Sequence, residues 1–171
     1  MKTFLIALSL LTCANFIELE KRSLLDNKVE ILMPKDFTAM SQENVLKKYP
    51  GANRPKLVLT DESTTVNLAF SVLENPADSS TIEAYRDAIK KSYKARFPTA
   101  TWVSDGVTRI NGKNVGYIKV IIEATDQKIF NYLFMTDSGG KLLLGTFNCL
   151  EKDMKSWLPV SEEIINSLKV K

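Results

Sequence analysis

The chain has 171 residues, of which 44% are hydrophobic and 25% are charged, and 23 basic against 20 acidic residues give a net charge of +3. This length and composition are typical of one soluble domain with a single core. They argue against overall disorder, against the concentrated basic patch that usually binds nucleic acid, and against a membrane-spanning helix, which needs roughly 18 consecutive apolar residues.

The chain contains no histidine and two cysteines, Cys13 and Cys149. The lack of histidine excludes Ser-His-Asp and Cys-His nucleophile arrangements and zinc sites built on imidazole. A general acid or base would have to be a carboxylate, a lysine, a tyrosine or a cysteine. We therefore predict no enzymatic activity, no metal and no cofactor, and a carboxylate- or tyrosine-dependent enzyme is the alternative.

Residues 1–14 have the pattern of a secretory signal peptide: a basic start, an uncharged run of ten residues, and then small residues. Cleavage after Ala14 is one prediction. The stretch Leu10–Cys13 also resembles a bacterial lipobox, in which Cys13 would carry a lipid anchor. Both versions predict a periplasmic or otherwise extracytoplasmic protein. The alternative is a cytoplasmic protein in which residues 3–12 form a buried strand or helix.

Residues 15–27 mix charge with a few leucines and show no sustained period, so we interpret them as a tether or a loosely docked arm before one domain at 28–171. The domain opens with a strand at 28–33, which ends at Pro34. Ser41 is a good N-cap for a helix at 42–48, whose Val45 and Leu46 we expect to face inward.

Two strands are predicted at 56–60 and 65–73, and the second alternates apolar and polar residues as a half-buried strand does. A capping box formed by Ser80 and Glu83 predicts the start of a helix that runs to about Phe97. This helix carries an apolar stripe with spacings of three and four residues.

The stretch from Trp102 to Leu150 reads as four successive strands separated by short turns. Asn111-Gly112 is the strongest turn signal, since both residues tolerate the positive φ of a tight hairpin. A closing helix is predicted at 151–168, and Pro159 predicts a kink or two consecutive helices. Together the elements predict an α+β fold, an α/β/α sandwich in which helices cover both faces of a mainly antiparallel sheet of six or seven strands.

Three local features support a family resemblance: the opening strand that ends at Pro34 and is followed by Phe37, the Ile110–Lys113 hairpin, and the closing segment Glu163–Lys169. With the order of elements, they make residues 28–170 resemble the PsbP-like superfamily, and within it the DcrB-type bacterial envelope proteins. The resemblance implies a binding or assembly factor. It carries over no catalytic or metal-binding residue.

Basic residues suggest a partner surface. On the long helix Arg86, Lys90 and Lys94 recur every four residues and Lys91 joins them, while Arg54 belongs to a second basic cluster with Lys47, Lys48 and Lys56. An acidic partner or an anionic lipid surface would suit them. The alternative is an ordinary solvated face whose charge suits a helix C-terminus.

We therefore expect an exported, non-enzymatic binding or assembly protein of the bacterial cell envelope, with an unknown protein partner. We expect no nucleic acid, and a membrane contact only through a lipid on Cys13. The alternative function is a carrier that holds a small apolar or lipid ligand between the sheet and a covering helix.

Overall fold

The computed structural model describes residues 17–124 and 126–171. The signal peptide predicted at 1–14 and the candidate lipidation site Cys13 lie outside these residues. The strands are β1 Leu19–Leu24, β2 Val29–Pro34, β3 Thr38–Ala39, β4 Leu57–Thr60, β5 Asn67–Pro76, β6 Thr101–Ile110, β7 Lys113–Glu123, β8 Lys128–Ser138, β9 Lys141–Leu150 and β10 Lys169–Val170. The helices are α1 Gln42–Lys48, α2 Ile82–Arg96 and α3 Met154–Asn166, and a 3-10 turn at Glu151–Asp153 precedes α3.

The main sheet has seven strands in the order β3-β4-β5-β9-β8-β7-β6, and every neighbouring pair is antiparallel. The predicted four-strand block is confirmed as β6 to β9. Asn111 (φ 45°) and Gly112 (φ 87°) form the two-residue turn between β6 and β7, because both adopt the left-handed conformation that a tight hairpin requires.

A second sheet, β1-β2-β10, corrects two expectations. Within the stretch interpreted as a tether or a loosely docked arm, Leu19–Leu24 instead form a strand that pairs along its whole length with β2. The opening strand therefore belongs to this small sheet and not to the main one. The charged residues of β1 show no apolar periodicity, so this strand is not predicted from the sequence. β1 is an edge strand, and its Arg22 donates to the backbone oxygens of Lys35 (2.8 Å) and Phe37 (2.6 Å).

The two faces of the main sheet are covered by different elements. On one face α3 and the small sheet bury a core that includes Phe37, Phe70 and Phe147. On the other face α2 packs its predicted apolar stripe on β7 and β8, and α1 covers Val58 and Ala69. The predicted α/β/α sandwich is confirmed. Because both faces are covered, β5 is buried on both sides near its start rather than half-buried.

Two local predictions at the helices are wrong. Leu46 of α1 is 44% exposed and does not turn inward. Ser80 and Glu83 make no capping box, since Thr81 is the N-cap of α2 and the Asp78 carboxylate accepts from the backbone N–H groups of Ser80 and Thr81. Of the two arrangements predicted at Pro159, two consecutive helices are not formed, because α3 is one helix with Pro159 inside it; a kink stays a prediction.

Candidate functional site

The basic residues predicted on α2 divide into an inner and an outer pair. Arg86 Nη1 lies 2.7 Å from one oxygen of Asp105, and Lys90 Nζ lies 2.5 Å from the other. The Arg86, Lys90 and Asp105 side chains are only 14%, 28% and 17% exposed. The Lys90 hydrogen bond, with help from Arg86, lowers the pKa of the Asp105 carboxyl. This inner pair therefore ties α2 to β6.

The outer pair is Lys91 and Lys94, which are both exposed. The Lys94 ammonium lies 5.6 Å from the centre of the Trp102 ring, and the Lys90 ammonium lies 6.0 Å from it, within the range of a cation–π contact. Of the four basic residues predicted on α2, Lys91 and Lys94 leave most charge for a partner, and the partner surface stays a prediction.

Arg54 lies in the segment that links α1 to β4. Its guanidinium donates to the backbone oxygens of Tyr49 (2.9 Å) and Pro50 (3.2 Å). These bonds hold the segment in a loop that forms one rim of a cleft, since Tyr49 and Pro55 both line that cleft. Arg54 thus braces a wall of the cleft.

The cleft lies on the face of the main sheet that α1 and α2 cover, and it has a volume of about 310 Å³. α2 contributes Ile89, Ser92 and Tyr93 to one wall, and Tyr49 and Pro55 stand at the other. The floor comes from three adjacent strands: Ala69 and Ser71 of β5, Leu144, Gly145, Thr146 and Asn148 of β9, and Asn131, Leu133 and Phe134 of β8. None of these lining residues carries a charged side chain or a thiol.

A cluster of amides lies at one end of this floor. Asn67 Nδ2 donates to Asn148 Oδ1 (3.1 Å), and Lys48 Nζ donates to the same oxygen (3.4 Å). Asn131 faces Asn148 across the β8–β9 ladder. The Asn67 and Asn148 side chains come from strands distant in sequence, so a run of residue types along the chain could not bring them together. A polar residue inside the apolar segments of β8 and β9 was the available signal.

Burial shifts the pKa values of the groups around the cleft. Desolvation raises the pKa of the Tyr49 and Tyr93 hydroxyls, and it lowers the pKa of Lys48 to about 8. The Tyr49 hydroxyl is buried and makes no hydrogen bond of 3.5 Å or less in the part of the chain that the structure describes. The nearby Asn148 amide lowers its pKa, against the larger effect of desolvation. Both tyrosines therefore remain protonated at neutral pH, as hydrogen-bonding groups and not as bases.

The Cys149 thiol and the acidic side chains are the remaining groups that could react or bind a metal. Burial raises the pKa of the Cys149 thiol to about 12. Residues 17–124 and 126–171 contain no group of three or more cysteine, aspartate or glutamate side chains that could hold a metal ion. No helix within those two ranges is long and apolar enough to cross a membrane.

Comparisons with known proteins identify the fold of this chain. No protein-family model matches the chain, and no curated protein matches it by sequence. Solved structures do match, and they give the chain a PsbP-like fold. The structure of cyanobacterial PsbP (CyanoP) from Synechocystis sp. PCC 6803 superposes with a TM-score of 0.64 at 13% identity, over 93% of this chain and 96% of that one.

Two further structures share the fold. The Ran-binding protein Mog1p of Saccharomyces cerevisiae matches with a TM-score of 0.56 at 11% identity, over 91% of this chain and 96% of its own. LpqN of Mycobacterium tuberculosis, which is involved in cell envelope biogenesis, matches with a TM-score of 0.56 at 9% identity, over 84% of this chain and 83% of its own. At such identities the likeness establishes the fold.

Proposed function

We propose that this protein is an exported, non-enzymatic binding or assembly protein of the bacterial cell envelope. The fold supports this role because proteins with similar structures include one that binds Ran and one involved in cell envelope biogenesis. The signal-peptide pattern of residues 1–14 supports export.

The observation that carries a binding role is the chemistry of the cleft. Its walls offer apolar side chains, hydroxyls and amides, and none of its lining residues supplies a carboxylate, amine or thiol. A serine or threonine hydroxyl becomes a nucleophile only when a neighbouring base activates it, and no lining residue supplies that base. The Tyr49 and Tyr93 hydroxyls, whose pKa values are raised, are poor bases at neutral pH. A ligand in this cleft would be held and not transformed.

The mass of the mature protein tests the location. Loss of residues 1–14 would support simple export, and a lipid mass on Cys13 would support an anchor. An intact Met1 on a protein recovered from the cytoplasm would contradict export.

For the protein partner, Lys91 and Lys94 form the candidate contact on α2. We expect that a photo-crosslinker placed at Ala95, on the same exposed helix, captures one envelope protein reproducibly. Charge reversal at both lysines should then reduce the yield about tenfold, because an acidic partner surface would meet two like charges.

A matched control is charge reversal at Lys152 and Lys155, two exposed lysines on the 3-10 turn and α3, away from α2. This control should leave the crosslink intact. An equal loss in both double variants, or the absence of any reproducible crosslinked protein, would count against this partner surface.

The cleft favours a second candidate function, a carrier for a small apolar or lipid ligand. Its volume of about 310 Å³ is at the lower end of the range for small-molecule sites, and apolar side chains dominate its walls. Native mass spectrometry of the protein purified gently from its own envelope fraction should show a retained small molecule. A ligand-free mass under conditions that preserve the folded protein would contradict the carrier.

A further inference from the structure

Two asparagines form the polar end of the cleft floor. Asn131 of β8 and Asn148 of β9 are directly opposite each other in the antiparallel ladder, and both line the cleft. Residues so paired have Cβ atoms about 5 Å apart. A single chemical group of a ligand can therefore contact both amides at once.

Internal hydrogen bonds determine how each amide is oriented. Asn148 Oδ1 accepts from Asn67 Nδ2 (3.1 Å) and from Lys48 Nζ (3.4 Å). Asn148 Nδ2 makes no hydrogen bond of 3.5 Å or less among the described residues, and the Asn148 amide lies close enough to the Tyr49 hydroxyl to lower the pKa of that group. Asn131 Nδ2 donates to the backbone oxygen of Ile129 (3.1 Å), which leaves Asn131 Oδ1 as an acceptor without a partner in the same part of the chain. The pair thus offers one donor and one acceptor side by side.

The surroundings of this pair disfavour a charged ligand. No lining residue is charged, and the Lys48 ammonium, which is not among the lining residues, donates to Asn148 Oδ1. An ionic group placed in the cleft would lose water without forming a direct ion pair with any lining residue, which is costly. A carboxylate also lacks the donor that Asn131 Oδ1 needs, and an ammonium lacks the acceptor that Asn148 Nδ2 needs.

We propose that the cleft binds a neutral, single-chain apolar molecule whose hydroxyl or amide head accepts a hydrogen bond from Asn148 Nδ2 and donates one to Asn131 Oδ1. The apolar chain lies between Ile89 and Tyr93 of α2 and Leu133 and Leu144 of the sheet. This inference rests on the carrier function proposed above and specifies the chemical class of its ligand.

Three probes with the same chain and different heads test the inference: 1-decanol, decanoate and decylammonium, titrated into the purified protein by calorimetry at pH 7 and below micelle-forming concentrations. We expect 1-decanol to bind at least tenfold more tightly than either ion. Asn131→Leu should weaken 1-decanol about fivefold, because it removes the acceptor for the hydroxyl. The same substitution should leave decanoate binding unchanged.

Ser92→Trp locates the binding, because Ser92 is exposed on α2 and lines the cleft, so a large side chain there fills the cleft without entering the core. Its matched control is Ala84→Trp, an exposed position about 12 Å along the same helix that does not line the cleft. We expect Ser92→Trp to abolish 1-decanol binding and Ala84→Trp to retain it.

The outcomes separate the two proposals. Equal or tighter binding of decanoate or decylammonium would overturn the neutral-head inference and leave the carrier function standing. Binding of 1-decanol that survives Ser92→Trp would place the molecule elsewhere and overturn the inference. A folded protein that binds none of the three probes would overturn both the inference and the carrier function.

Discussion

Asp105→Asn is the substitution that separates structural charge from partner-binding charge on α2. The wild-type carboxylate accepts from Arg86 and Lys90, whose side chains are 14% and 28% exposed. Asparagine keeps the size of the side chain but presents one neutral oxygen and one amide donor, so both cations lose a buried carboxylate partner. Among the described residues, Arg86 then retains only the exposed carboxylates of Glu83 (3.1 Å) and Asp87 (3.0 Å). We expect a less stable protein that retains its fold.

The size of the effect follows from the exposure of the group. A hydrogen bond to a charged group contributes about 1.5–3 kcal/mol to stability, whereas a fully exposed ion pair contributes at most about 1 kcal/mol. With Asp105 17% exposed, we expect Asp105→Asn to lower the free energy of unfolding by about 2 kcal/mol. For a chain of this size that corresponds to a decrease of about 4–8 °C in Tm.

The effect should depend on pH in one direction. The pKa of Asp105 is lowered in the folded protein, so its contribution to stability is complete above the pKa of the unfolded chain, near 4. The contribution is lost as the pH falls through the folded-state pKa. The difference in Tm between wild type and Asp105→Asn should therefore be constant from about pH 5 to 8 and shrink progressively below about pH 4.

Thermal unfolding followed by circular dichroism measures this difference. Asp87→Asn is the matched control, because the Asp87 carboxylate lies 3.0 Å from Arg86 Nε on the same helix but is 62% exposed. The control should change the free energy of unfolding by less than about 0.5 kcal/mol. If Asp105→Asn and Asp87→Asn destabilise equally, or if the difference between wild type and Asp105→Asn is as large at pH 2 as at pH 7, the reasoning is wrong.

Three further substitutions or treatments test the core and the cleft. Gly145→Ala would place a Cβ 1.9 Å from a ring atom of Phe134, so chemical denaturation should show that the free energy of unfolding falls by about 3 kcal/mol. In the control Gly51→Ala, a Cβ would have nothing within 4 Å, and the free energy of unfolding should hardly change. Tyr49→Phe removes a buried hydroxyl that has no partner among the described residues and should raise stability by about 1 kcal/mol. Its control, Tyr85→Phe, removes a 2.7 Å hydrogen bond to a backbone oxygen and should lower stability by a similar amount. The Cys149 thiol is buried and its pKa is raised to about 12, so it should resist alkylation by iodoacetamide at pH 8 until denaturant is added. Mass spectrometry measures the extent of labelling, and rapid labelling of the native protein would contradict the burial of Cys149.

Elements that depend on local pattern could be predicted from the sequence. The hairpin at Asn111-Gly112 follows from the conformational tolerance of two adjacent residues, and the apolar stripe of α2 follows from spacing alone. The Leu19–Leu24 strand could not be recognised this way, because its charged residues are stabilised by long-range contacts. Arg22, for example, donates to the backbone near Phe37.

The candidate site was harder to predict because it depends on three-dimensional neighbours. The basic repeat on α2 was visible, but the partner of Arg86 and Lys90 lies on β6, so their structural role could not be read from the helix. The asparagine pair could not be predicted either, because Asn131 and Asn148 meet only through the register of β8 and β9.

The central claim is that the cleft between α2 and the sheet is a binding site for a neutral ligand. Nuclear magnetic resonance of the ¹⁵N-labelled protein titrated with 1-decanol tests it most directly, because the side-chain amides of Asn131 and Asn148 give their own signals. We predict that both side-chain amide signals shift with a common saturation curve, and that neither shifts in Ser92→Trp. Unchanged signals at saturating 1-decanol, or the same shifts in Ser92→Trp, would contradict the claim.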